Sequence, residues 1–126
     1  MQLLVWGFNN DGTLGLGEEA VDENIADPTK LNAPHDTAWI QIVCGKYHTA
    51  AVSSNGDLYT WGSGRKGRLG HGNKTDRHAP TKVKIPGGEA VVKVACGHQH
   101  TAAVTRTGKL FTWYVSILFI NQIKVG

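Results

Sequence analysis

The sequence predicts an all-β fold assembled from antiparallel four-stranded units of about 50 residues each. Three observations carry that prediction. The segment Cys44-Gly45-Lys46-Tyr47-His48-Thr49-Ala50-Ala51-Val52 is answered 52 residues later by Cys96-Gly97-His98-Gln99-His100-Thr101-Ala102-Ala103-Val104. Each copy then runs into a Gly, a Leu, an aromatic, a Thr and a Trp, first as Gly56 to Trp61 and then as Gly108 to Trp113. No stretch shows sustained helical periodicity with caps. Self-similarity at a fixed period marks a repeat architecture, in which function belongs to the array and not to one motif.

The elements of one unit follow in order. Trp39-Ile40-Gln41-Ile42-Val43 and Val91-Val92-Lys93-Val94-Ala95 are rich in β-branched residues and stop at Cys-Gly, so they form a first strand. Thr49 to Val52 and Thr101 to Val104 form a second, whose Ala pairs permit close packing. Ser54-Asn55-Gly56-Asp57 and Arg106-Thr107-Gly108-Lys109 are tight turns, because each places Gly where positive φ is needed. Leu58 to Trp61 and Lys109 to Trp113 give a third strand, and Thr81 to Ile85 a fourth. The period also reaches back: Pro28-Thr29-Lys30-Leu31 precedes Pro80-Thr81-Lys82-Val83 by 52 residues, and Gly12-Thr13-Leu14-Gly15-Leu16-Gly17 precedes Gly67-Arg68-Leu69-Gly70-His71-Gly72 by 55. The extra residues lie between Gly17 and Pro28, which reads as a longer surface loop.

Cys-Gly-x-x-His-x-x-Ala, then Gly-x-Leu-aromatic-x-Trp-Gly, then Gly-x-Leu-Gly-x-Gly resembles the repeat of the regulator of chromosome condensation family. The likeness runs from Leu3 to Trp113 with its parts in phase. It implies blades of a β-propeller, which about seven such repeats usually close. Kelch and WD repeats fit less well, since the first lacks the Cys-Gly-x-x-His element and the second needs a Trp-Asp signature. The structural repeat positions are Trp6, Gly7, Cys44, Gly45, His48, Trp61, Gly62, Cys96, Gly97, His100 and Trp113.

The expected domains are a partial blade at 1–35, a full blade at 36–87, a partial blade at 88–113 and a divergent apolar tail at 114–126. Closed propellers need about four to eight blades, so the fold expected is an incomplete β-propeller, a fragment of a longer protein that supplies the remaining blades. The repeat demands Gly after its Trp, as in Trp6-Gly7 and Trp61-Gly62, yet Trp113 is followed by Tyr114. An alternative exon, retained intron or gene-model error accounts for that break. The tail reads as a further apolar edge strand or an aggregation-prone extension, and it is too short for a membrane anchor, which needs about 20 residues.

Cys44 and Cys96 read as free, buried, structural thiols, and a reducing compartment, cytoplasm or nucleus, follows from that. Cys44 with His48 and Cys96 with His100 lack the spacing of a zinc site. They also lack the orienting group and oxyanion hole of a nucleophilic pair. Gly62-Ser63-Gly64-Arg65-Lys66-Gly67 matches a dinucleotide fingerprint, but Arg68-Leu69-Gly70-His71-Gly72 cannot open the helix that fingerprint requires. No catalytic residue, metal or cofactor is expected.

Charge is more informative. From Gly62 to Ile85 the basic residues Arg65, Lys66, Arg68, Lys74, Arg77, Lys82 and Lys84 face a lone Asp76. The matching first-unit stretch carries Asp11, Glu18, Glu19, Asp22, Glu23 and Asp27 with Lys30. Arg65, Lys66, Arg68, Lys74 and Arg77 are therefore the candidate partner-binding residues, for an acidic protein surface or nucleic-acid phosphates. The competing reading is solvated loop charge with weak blade-to-blade attraction. The expected function is a non-catalytic protein-interaction module. The resemblance implies an alternative, guanine-nucleotide exchange on a Ran-like small GTPase with nucleosome binding.

Overall fold

Among the described residues the chain is all-β, with three antiparallel sheets and only short 3-10 turns between strands. The computed structural model describes residues 2–114 and 117–120. Strands β1 (Leu4–Phe8) and β2 (Asn24–Lys30) pair as the first sheet. The second runs in the order β3 (Trp39–Cys44), β4 (His48–Ser53), β5 (Leu58–Gly62) and β6 (Arg77–Lys82). The third runs β7 (Val91–Cys96), β8 (Thr101–Thr105), β9 (Leu110–Trp113) and β10 (Ile117–Ile120). No helix among the described residues is long and apolar enough to cross a membrane.

Strand β4 shows why the sheets stack. All six of its residues are buried, and successive side chains of a strand point to opposite faces. Ala51 therefore joins Leu31, Trp39, Tyr59 and Trp61 against the first sheet. Ala50 and Val52 join Leu58, Val94, Phe111 and Trp113 against the third. A strand covered on both sides can be apolar throughout, and the Ala pair keeps it thin enough for both neighbours to approach.

Two differences from the sequence reading have physical causes. The fourth strand is Arg77–Lys82, shifted upstream of the expected Thr81 to Ile85. It contains Pro80, which lacks an N–H, and it lies at the sheet edge, where that loss is tolerated; the pairing is irregular between Thr60 and Gly62. Val83 and Ile85 instead drop into the core between the second and third sheets. At the Trp113–Tyr114 step, Tyr114 does not adopt the φ of +107° and +104° found at Gly7 and Gly62. Strand β10 pairs Ile117 with Trp113 and Ile120 with Leu110. Of the expected tail, residues 115–116 and 121–126 lie outside the described residues.

Candidate functional site

The three sheets are locked by a repeated device, and that device determines which residues remain free for other work. Thr49 Oγ1 and Trp61 Nε1 of the second sheet both donate to the carbonyl of Thr13, in the first sheet's loop, each at 2.9 Å. Thr101 Oγ1 of the third sheet donates to the carbonyl of Arg68 at 2.7 Å. The loops fit because Gly15 and Gly70, at φ +76° and +81°, lie flat against the indoles of Trp61 and Trp113. The amide of Gln41 adds a strand-like pair to Val94, accepting from its N–H at 2.9 Å and donating to its carbonyl at 3.1 Å.

His48 serves the same interface. It is fully buried, and its Nε2 donates to the carbonyl of His100 at 3.1 Å, with Nδ1 buried and unpartnered. Burial, with Arg68 nearby, lowers its pKa to about 4. His100 is instead exposed, and its ring lies 4.5 Å from that of Tyr114. The two thiols also differ. Cys44 is exposed, contrary to the expectation of a buried pair. Cys96 is partly covered, and burial pushes its thiol up to about 12. Among the described residues no group of three or more His, Cys, Asp or Glu is placed to hold a metal.

Antiparallel alternation puts the β3–β4 and β7–β8 turns on the same face as the loops that follow β1 and β5. On that face lies a cleft of about 450 Å³. Its walls are Tyr47 and Gln99, from the two turns, and Asp11, from the first sheet's loop. The β5–β6 loop supplies Ser63, Arg65, Lys66 and Arg68. That loop makes a 3-10 turn at Arg65–Gly67 instead of a helix, with Lys66 at φ +61° and Asp76 accepting the Gly64 N–H at 2.8 Å.

The five candidate cations fare differently. Arg65 and Lys66 are exposed at the cleft. Arg68 is not a solvated charge: it is 2% exposed, with Nε donating to the Arg65 carbonyl at 2.8 Å and Nη1 lacking a partner. Arg77 lines a separate groove of about 590 Å³ with His71, Lys82 and Lys84. Lys74 is exposed and borders neither. The ion pairs found among the described residues, Lys82–Asp57 and Lys109–Glu89, do not join the acidic and basic loops. Sequence reasoning missed Tyr47 and Gln99, which both occupy the second variable position of Cys-Gly-x-x-His; variability inside an otherwise strict repeat was the available signal.

The regulator of chromosome condensation repeat model matches residues 2–52 and 55–104, and a second model of the same repeat matches 39–68. The chain is 44% identical over 108 residues to the ultraviolet-B receptor UVR8 of Arabidopsis thaliana, covering 86% of this chain and 24% of that protein. It is 41% identical over 110 residues to the human E3 ubiquitin-protein ligase HERC2, covering 86% of this chain and 2% of that protein. Among solved structures, Prp20p of Saccharomyces cerevisiae, studied for its binding to Gsp1p and histones, superposes with a TM-score of 0.75 at 26% identity. That match covers 90% of this chain and 29% of Prp20p. Human WBSCR16 superposes with a TM-score of 0.81 at 23% identity over 94% of this chain and 33% of its own, a likeness of fold.

Proposed function

The chain belongs to the regulator of chromosome condensation repeat family, and on that premise we propose that it is a non-catalytic interaction module that presents its loop face to protein partners. The observation that carries this reading is a division of labour. Thr49, Thr101, Trp61 and His48, with Gly15 and Gly70, are consumed in locking sheet to sheet, whereas residues that vary between repeats line the cleft. Within the module, a partial blade at 1–35, a full blade at 36–87 and a partial blade at 88–113 follow one another, and the chain spans at most about a third of the relatives described above. Arg65 and Lys66, with Lys74 and Arg77 further along the loop, supply the positive field that draws in an acidic surface. Nucleus or cytoplasm is the proposed location.

A second reading has a specific observation in its favour, the structural likeness to Prp20p with its binding to Gsp1p and histones. In that reading the loop face engages a Ran-like small GTPase and accelerates guanine-nucleotide release, with nucleosomes as a further partner. Release of labelled GDP from a panel of small GTPases separates the two: acceleration by the chain favours exchange, and binding without acceleration favours the module.

A further inference from the structure

We propose that the cleft beneath Arg65 and Lys66 receives the carboxylate of an Asp or Glu side chain from a partner protein, with the buried guanidinium of Arg68 as its anchor. The proposal rests on the interaction-module reading and names the chemistry of its partner. Arg68 occupies the same repeat position as Thr13, and both residues bond to the next sheet through the backbone carbonyl. That bond does not depend on the side chain at this position. A guanidinium is nevertheless held there at 2% exposure, with one hydrogen bond from Nε and no partner for Nη1.

An unpaired buried cation is costly, and a buried polar group without a partner is rare enough to need a reason. An entering carboxylate supplies one. Its planar pair of oxygens matches the fork of a guanidinium, and a charge-assisted pair shielded from water is stronger than one at the surface. The surroundings hold the fork in place: the Tyr47 ring lies 5.6 Å from the Arg68 guanidinium carbon. Ser63 and Gln99 add neutral hydrogen-bonding groups to the wall. Lys66 is steadied at the rim by a 3.0 Å bond to the Tyr114 hydroxyl.

Asp11, also on the wall, sets the limit on charge. Its carboxylate repels a second anion, which favours a singly charged carboxylate over a phosphate group of higher charge or a run of phosphates. A folded loop or acidic segment bearing one projecting Asp or Glu fits a cleft of about 450 Å³, whereas a nucleic-acid backbone needs an open groove that it can track.

The test uses the full chain and a short fluorescent peptide bearing a single Glu among neutral residues, with single-stranded DNA and inorganic phosphate as competitors. Arg68→Met should weaken peptide binding by about tenfold or more, the loss of a charged hydrogen-bonded pair, while leaving the thermal midpoint unchanged or raised. Gln99→Glu places a carboxylate on the cleft wall from an exposed turn, so it should weaken the peptide and raise the midpoint without disturbing the core. Neither competitor should displace the peptide at equal concentration. Unchanged peptide affinity in both variants, or stronger binding of DNA or phosphate than of peptide, would overturn the proposal. If Arg65→Glu with Lys66→Glu abolishes binding while Arg68→Met does not, the module reading survives and the carboxylate anchor is wrong.

Discussion

The indole Nε1 of Trp61 donates to the Thr13 carbonyl at 2.9 Å, across the boundary between two sheets. The equivalent Trp6, one repeat earlier, is 58% exposed, against 1% for Trp61. The difference is the loop that covers Trp61, which Gly12 to Gly17 provide. One sequence position is thus core or surface according to whether a neighbouring blade lies over it.

That relationship predicts unequal costs for equal substitutions. Trp61→Ala should destabilise the chain by about 3–5 kcal/mol, through lost packing and a lost interface hydrogen bond. Trp6→Ala should cost under about 1 kcal/mol, since more than half of its surface is already in water. Urea denaturation of the two variants beside the parent chain checks this pair.

Gly45 and Gly97 make the same comparison in the backbone. A Cβ on Gly45 would lie 2.6 Å from His48 Nδ1 and 2.5 Å from the Gly97 carbonyl oxygen. On Gly97 the nearest atom is His100 Nδ1 at 3.8 Å, an ordinary contact. Gly45→Ala should cost about 1–3 kcal/mol by overpacking the interface, and Gly97→Ala should stay within about 0.5 kcal/mol. Equal costs by thermal denaturation would show that the second and third sheets do not meet in this way.

The pH dependence follows from His48. Its Nε2 is held as a donor by the His100 carbonyl, so a second proton would go to Nδ1, which is buried and without an acceptor. With the native pKa lowered to about 4 from 6.5, the unfolded chain binds more protons between those values. Stability is therefore full above pH 6.5 and falls as pH drops toward 4. His71, lowered to about 4 by burial and by Arg77 beside it, adds a slope of the same sign. His48→Gln should flatten part of the fall in the thermal midpoint between pH 7 and 4, and an unchanged slope would remove His48 as a cause.

The architecture was legible because the residues that meet across sheets are the ones that recur. Thr49 and Thr101 meet the same carbonyl position of the unit before, and Trp61 and Trp113 the same Gly, so their spacing carried the fold. The Cys thiols were not legible: Cys44 and Cys96 both precede Gly at the end of a first strand, yet only Cys96 packs against the core between the second and third sheets. The fourth strand was misplaced because Arg77-His78-Ala79-Pro80 carries charge and a proline, which a sheet edge tolerates and a centre does not. For the candidate site, the basic loop was visible as composition. That Arg68 turns inward while Arg65 and Lys66 stay out depends on the loop folding back against Tyr47 and Thr101, which no local pattern records.

The most direct measurement of the central claim is binding and stability in the same samples of an Arg65→Glu, Lys66→Glu variant. Small GTPases and an acidic peptide serve as ligands, compared with the parent chain at low and physiological salt. Binding should be lost or fall by more than about tenfold while stability stays within about 0.5 kcal/mol, since both side chains are exposed. Binding that is unchanged at both salt concentrations, or lost only together with the fold, would contradict it.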